Sequence, residues 1–218
     1  MQNLVIYGAG DLAKLAYFYA KHELGFNVLG FVVDYEFKKE DQFLNLPLYI
    51  WSDCPPADKA NMFVAIGYKS MRARAVSYLK ARSAGYKLVN LISPNCHLAS
   101  NLEIGDNNII MPGVVIEPYV ELGCNNIFWS NSTVCHDSKI GSHNFFAANV
   151  TIGGKVKVGD QCFFGFNSSV TQNLIVENEV LLAAGSIALS RLHSLSIYLG
   201  VPAVLKKPLN SSIGVSID

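Results

Sequence analysis

From Leu98 to Leu182 a large aliphatic or aromatic residue returns at every sixth position without a slip: Leu98, Ile104, Ile110, Ile116, Leu122, Phe128, Val134, Ile140, Phe146, Ile152, Val158, Phe164, Val170, Val176 and Leu182. In a chain that is 50% hydrophobic, the chance odds of such an unbroken series are on the order of one in thirty thousand, so the period outranks local propensity. A helix, repeating near 3.6, would smear this spacing around its surface, and a simple strand would demand apolar residues at every second site. A period of six belongs to a solenoid.

The residue after each marker is often small (Ala99, Gly105, Gly123, Gly141, Ala147, Gly153, Gly159, Gly165, Ala183), which suits a tight corner where a Cβ would clash. Four positions after the marker the residue is again small or aliphatic, as at Val114, Ser132, Ser138, Val150, Val156, Cys162 and Val180, so both sites can point inward. A parallel β-helix results, in which each hexad is one short side and stacked coils bury a continuous apolar column. Three hexads make a turn, so residues eighteen apart stack.

Lys plus Arg equals Asp plus Glu at 17 each, which removes the basic excess of a nucleic-acid binder. No apolar run reaches the roughly 18 residues of a membrane span, and Met1-Gln2-Asn3 leads into a strand-like segment with no basic n-region, so the expected location is cytoplasmic. Cys54, Cys96, Cys124, Cys135 and Cys162 form no CxxC pair and are odd in number, which argues against a disulfide framework or structural zinc. Cys96 and Cys162 fall at inward hexad positions.

The first ninety residues differ in texture, with a boundary near Ser93-Pro94. Leu4 to Tyr7 reads as a buried strand, Gly8-Ala9-Gly10 as a turn and Asp11 to Leu24 as a helix; strands follow at Val28–Val33, Met62–Ile66 and Lys87–Ile92, with helical spacing at Met71, Ala75, Tyr78 and Leu79. The alternation implies a small parallel sheet with helices outside. Gly8-x-Gly10-x-x-Ala13 can hold a diphosphate, because glycines let it approach the backbone and the helix N-terminus supplies positive dipole. A dinucleotide fold needs two such halves and this segment provides one, which suits a nucleotide sugar better than NAD. A tight turn with no ligand stays open as the alternative. Asp34, ending the second strand, can accept from a ribose or base donor, or be an ordinary turn aspartate. Lys69, Arg72 and Arg74 can face phosphates or simply line a solvated helix face.

Few groups in the repeat can move a proton. His97 sits at the mouth of the first coils, and His143 lies in a polar stretch suggestive of the surface. His136 falls two after the marker Val134, at an outward position, and Asp137 follows it, where a carboxylate can orient the ring and raise its basicity. Eighteen residues on is Gly154, whose backbone N–H can hold a carbonyl oxygen and its developing charge. This suggests direct acyl transfer without a covalent intermediate. Cys135 is close, but its corner position disfavours it as a nucleophile.

The chain resembles the bacterial hexapeptide-repeat sugar acyltransferases, in the branch of nucleotide-amino-sugar N-acetyltransferases and sialic acid O-acetyltransferases. The resemblance rests on Val5-Ile6-Tyr7-Gly8-Ala9-Gly10, Gly30-Phe31-Val32-Val33-Asp34, Ala65-Ile66-Gly67, the unbroken hexads, Cys135-His136-Asp137-Ser138-Lys139-Ile140-Gly141 and Gly200-Val201-Pro202-Ala203. It implies an α/β N-terminal half-Rossmann-like domain (1–93) that binds a nucleotide sugar, an all-β left-handed parallel β-helix (94–203) that carries acyl transfer, and a C-terminal tail (204–218). It also implies a homotrimer with acetyl-CoA between subunits and no metal. By that resemblance His136 would be the general base, tuned by Asp137. Phe145, Gly154, Gln172, Ala184, Lys206 and Lys207 would meet acetyl-CoA, and Gly8, Gly10, Asp11, Leu12, Asp34, Gly67, Tyr68 and Trp129 the nucleotide-linked amino sugar.

This chain departs from the family pattern at several positions. Phe145 stands where the family has a second histidine, so any contact there would come from its backbone. Leu12 replaces a common histidine, Val33 the first of two aspartates, and Tyr68 an asparagine. Trp129, seven before His136, either walls the sugar site or packs between subunits. Beyond Leu209 the Ser-rich segment lacks periodicity and is expected to be mobile.

The activity these readings imply is acetyl transfer from acetyl-CoA to the amine of a nucleotide-linked deoxy amino sugar, for surface-glycan synthesis. Two alternatives are a sugar O-acetyltransferase of the sialic-acid type and a non-catalytic nucleotide-sugar-binding subunit. A β-helical zinc hydratase would need three converging histidines.

Overall fold

The computed structural model of the protein describes residues 1–217; Asp218, the last residue of the expected tail, lies outside the described residues. The hexads form a parallel β-helix with three faces. The first face begins at Leu91–Ile92, the second at His97–Leu98 and the third at Glu103–Ile104, and each is a stack of short parallel strands. Its register is the expected eighteen: Thr133 pairs with Thr151, Lys139 with Lys157 and Phe145 with Phe163. Markers fill the interior, and Phe128, Phe146 and Phe164 stack with ring centroids 4.5 and 4.8 Å apart, close to the roughly 4.8 Å spacing of paired strands.

The corners turn elsewhere than the small residues suggested. From Ile104 onward the left-handed residue is the third after the marker, as at Asn107, Tyr119, Asn125, Asn131, Asp137, His143, Asn149, Lys155 and Glu179. Asparagine is favoured there because its short polar side chain tolerates that conformation. The glycines directly after the markers serve close approach between coils: a Cβ on Gly123 would stand 2.6 Å from the Gly141 carbonyl oxygen, and one on Gly141 2.6 Å from that of Gly159.

A second internal column is polar. Asn126 accepts from the Asn144 backbone N–H at 2.9 Å and donates to the Gly141 carbonyl at 2.9 Å, and Asn90, Asn108 and Asn144 repeat the pattern one coil apart. These side chains satisfy backbone groups that the corner between third and first faces would otherwise bury unpaired. Cys162, fully buried, ends the ladder.

The N-terminal segment builds a five-stranded sheet from β1 (Asn3–Tyr7), β2 (Asn27–Val33), β3 (Gln42–Phe43), β4 (Leu46–Ile50) and β5 (Asn61–Val64), in the order β3-β4-β2-β1-β5. All neighbours are parallel except β3 with β4, a hairpin that turns through left-handed Leu44 and Asn45. Helix α1 (Asp11–Phe18) continues as a wider π turn over Tyr19–Glu23, and α2 (Met71–Ser83) is capped by the Ser70 hydroxyl. Leu4, Ile6 and Phe31 face α1 and share one continuous core with the solenoid, while Val5, Tyr7, Val32 and Val64 pack with Tyr78 and Ala81 of α2 on the other face. The strand expected over Lys87–Ile92 is divided: Leu88 bridges Met62 of the sheet, whereas Leu91–Ile92 pairs with Ile109–Ile110 of the solenoid.

Polar groups join the two parts. Asn107 bonds both the N–H and the carbonyl of Val64, at 2.7 and 3.1 Å, Tyr78 donates to Asp106 at 2.6 Å, and the buried Arg74 donates to the Asn125 carbonyl at 2.5 Å. His143, expected at the surface, lies in this junction, with the Asn125 amide 3.0 Å from its Nδ1. The segment beyond Leu209, expected to be mobile, is packed on the rest of the chain over its described residues: Val215 is fully buried and Ser216 pairs with Ser70, while the preceding Val204–Pro208 is a strand antiparallel to Ser196–Leu199. The aperiodic segment is held by contacts with distant parts of the chain, which periodicity does not reveal.

Burial, with the nearby Arg74 charge and against the pull of Asp160, pushes the His143 imidazole from 6.5 down to about 4. The unfolded chain therefore binds this proton between pH 6.5 and 4 while the folded chain does not, so stability falls as pH is lowered through that window. In His143→Asn the urea midpoint is expected to depend less steeply on pH there than in the parent; an unchanged slope would contradict a neutral, buried imidazole.

Candidate active site

His136 occupies the corner between the second and third faces, after strand Thr133–Val134. Its main chain is tied to both neighbouring coils: the backbone N–H donates to Glu117 at 2.8 Å and the carbonyl accepts from Lys155 at 2.9 Å. Asp137 takes the left-handed conformation, φ 60°, and its carboxylate lies 2.7 Å from His136 Nδ1. A carboxylate accepts from Nδ1–H, so the neutral ring keeps its free lone pair on Nε2. Side-chain exposure of 55% leaves the imidazole accessible. Such a group can take a proton from an attacking nucleophile.

Gly154 lies one coil on. A Cβ there would stand 2.8 Å from His136 Nε2 and 2.9 Å from Cε1, so only glycine keeps this flank of the ring clear. Gln172, a further coil along, is exposed at the same corner. The structure thus brings His136, Asp137, Gly154 and Gln172 together. Cys135 is half-buried, and burial with the Glu117 charge raises its thiol above the ordinary range, which disfavours a thiolate nucleophile.

A second set gathers on and beside the first face. Phe145 is buried and stacks on Phe163 at 5.0 Å, with its backbone N–H donating to the Cys162 carbonyl at 2.9 Å; that N–H, the contact expected of it, is already used between coils. Tyr68, from the loop after β5, packs edge-on against Phe145 at 5.1 Å, and Trp129 lies 6.3 Å from the same ring. Ala184 is exposed at the corner between first and second faces, and Lys206 and Lys207 are exposed on the terminal hairpin that extends the first face. The corner bearing His136 is opposite the first face, so the two sets cannot converge within one chain.

The glycine turn lies at the carboxyl ends of the parallel strands. Gly8 has φ 131°, and a Cβ there would stand 2.7 Å from the Ala65 carbonyl oxygen; Gly10 precedes α1 and is exposed, as is Asp11. Gly67 follows β5 close by. Leu12, by contrast, is buried in the core, so its side chain does not reach a ligand at this edge. Asp34 accepts from the Tyr7 hydroxyl at 2.6 Å and pairs with Lys80. Partial burial alone would raise its carboxyl, but Lys80 and Tyr7 hold it below the ordinary range. Tyr7 is correspondingly pushed up to about 12 by burial and then by Asp34. Arg72 and Arg74 do not face this turn: Arg72 is bidentate to Glu179, and Arg74 is buried against Asn125. The Tyr7–Asp34–Lys80 group was not foreseen; the adjacency of Tyr7 to the glycine turn was its only sequence signal. Among the described residues no group of three or more His, Cys, Asp or Glu is placed to hold a metal ion, and no helix is long and apolar enough to cross a membrane.

Residues 119–154 match the family model described as bacterial transferase hexapeptide (six repeats). No curated protein matches the chain in sequence. The fold is shared with PerB of Caulobacter crescentus, solved with CoA and GDP-perosamine, at 25% identity and TM-score 0.84 over 95% of this chain and 98% of that one, and with a mutant of perosamine N-acetyltransferase of the same organism (24%, TM-score 0.85, 95% and 98% covered). It is shared also with the acetyltransferase domain of PglB from Neisseria gonorrhoeae (21%, TM-score 0.82, 96% and 100% covered) and with WeeI from Acinetobacter baumannii (19%, TM-score 0.80, 94% and 100% covered). The protein carries hexapeptide repeats and shares the architecture of these structures.

Gly154 has no left-handed φ, so Gly154→Ala is expected to fold with a thermal midpoint close to the parent. A crystal structure of that variant should show the His136 ring displaced from Asp137; an unmoved ring would contradict the packing described.

Proposed function

We propose that the protein is an acetyl-CoA-dependent N-acetyltransferase acting on the amino group of a nucleotide-linked deoxy amino sugar, by direct attack. The observation that carries this reading is the His136–Asp137 pair, 2.7 Å apart, with its imidazole facing Gly154 of the next coil. The Caulobacter enzyme, solved with CoA and GDP-perosamine, supports the substrate class.

In this mechanism the neutral sugar amine attacks the thioester carbonyl, forming the N–C bond. His136 Nε2 takes the amine proton, while the Gly154 N–H stabilises the oxyanion. As the tetrahedral species collapses, the C–S bond breaks and the CoA thiolate leaves, taking up the proton held on His136. Asp137 keeps Nδ1–H in place and balances the positive charge on the ring.

The division of site residues between opposite sides of the solenoid supports an assembly in which the His136 corner of one copy meets the first face of another, as in a homotrimer with cyclic symmetry. Exposed apolar side chains on and near the corner between the first and second faces, Phe166, Val201 and Leu205, are suited to burial against another copy. Acetyl-CoA would lie between copies, along Gly154 and Gln172 of one and past Ala184, Lys206 and Lys207 of the other; Phe145, buried with its N–H used between coils, offers it no contact. The segment 1–93 would bind the nucleotide sugar as half of a dinucleotide fold. There Gly8, Gly10 and Asp11 would receive the diphosphate at α1, Asp34 the ribose or base, and Gly67, Tyr68 and Trp129 the sugar. Left-handed winding, a cytoplasmic location and a role in surface-glycan synthesis belong to the same reading.

Thiol release from acetyl-CoA, followed over a panel of nucleotide-linked amino sugars and hydroxyl acceptors, tests it. Amine acceptors are expected to turn over, and His136→Ala to slow them roughly a hundredfold or more. Turnover of hydroxyl acceptors alone would replace the reading with O-acetylation, and full activity in His136→Ala would remove the histidine base.

A further inference from the structure

We propose that the C-terminal segment Ile213–Ile217 is a strap that positions Tyr68, and so sets the fit of the nucleotide-linked sugar; this rests on the assignment of Tyr68 to the sugar site. Tyr68 lies in the short loop between β5 and α2. On its N-terminal side the loop is fixed to the sheet, where Ala65 N–H donates to the Tyr7 carbonyl at 2.8 Å. On the other side the strap holds it. The Lys69 carbonyl, next to Tyr68, accepts from Ile217 N–H at 3.1 Å and from the Ser216 hydroxyl at 2.8 Å, and Met71 N–H donates to the Val215 carbonyl at 3.1 Å.

The strap is itself anchored to the solenoid. Val215 is fully buried in the shared core. Arg72, at the start of α2, donates to both oxygens of Glu179 at 2.5 and 2.7 Å and to the Ser211 carbonyl at 2.8 Å, so one side chain joins helix, solenoid and tail. A bidentate arginine–carboxylate pair fixes orientation as well as distance. Gly214, at φ 71°, passes directly over this pair: a Cβ there would stand 2.5 Å from Glu179 Oε1 and 2.7 Å from Arg72 Nε. The glycine therefore allows the strap to close. With Lys69 held, the Tyr68 ring rests on Phe145 and Phe163 at 5.1 and 6.1 Å, as one wall of the sugar site. Released, the same ring has no fixed place on that ledge, and a misplacement of about 1 Å at a positioning group can cost up to a hundredfold in rate.

Two variants separate positioning from general stability: a chain ending at Leu209, and full-length Gly214→Ala. Both are expected to raise KM for the nucleotide-linked amino sugar about tenfold or more, with KM for acetyl-CoA within about twofold of the parent. Both should also speed amide hydrogen exchange across residues 66–72 by about tenfold or more. Ser216→Thr, which keeps the hydroxyl, should behave as the parent. Equal rises in both KM values, or unchanged exchange at 66–72, would overturn the strap. If the parent turns over no amino sugar, the proposed function fails, and the exchange comparison alone then decides whether the strap holds the loop.

Discussion

Each coil of the solenoid hydrogen-bonds the next at a register of eighteen residues, and everything else in the molecule is placed by that register. It puts apolar markers in one interior column and stacks the Phe128, Phe146 and Phe164 rings near strand spacing. It also lines up the asparagines that satisfy the backbone at one corner. A slip of one residue would expose the markers and bury the charged outward column of Glu121, Lys139 and Lys157. The scaffold is therefore stiff, as the proposed proton transfer would require of the coils that carry His136.

The same register decides what the molecule can do alone. It aligns His136, Gly154 and Gln172 on one edge, so an imidazole and an amide are neighbours by construction, and it places Phe145 and Trp129 on or beside the face opposite that edge. Tyr68 comes to that face from the α/β segment, which shares a core with the solenoid and is joined to it by Asn107, Arg74 and Tyr78. One copy thus presents two half-sites, and acyl transfer of the proposed kind needs them to meet between copies.

The hexads, the eighteen-residue stacking and the His136–Gly154 juxtaposition were legible in the sequence because each is periodic. The corner conformation was misplaced by two residues: small side chains after the markers reflect close coils, whereas the left-handed turn is taken by residues as large as Tyr119 and Lys155, which repetition of the surrounding ladder holds there. The asparagine ladder was missed because it breaks the apolar rule for inward positions while obeying hydrogen-bond satisfaction. His143, Arg72 and Arg74 differ from expectation for one shared reason: each is buried or paired by the packing of the α/β segment on the solenoid, or of the tail on both, and those contacts join residues far apart in sequence.

A crystal structure with CoA and a nucleotide-linked amino sugar bound tests the central claim most directly. The thiol of CoA and the sugar amine are expected within reach of His136 Nε2 of one copy, with the sugar against Tyr68 of another. Both ligands bound within a single copy, or CoA away from the His136 and Gly154 edge, would contradict the account.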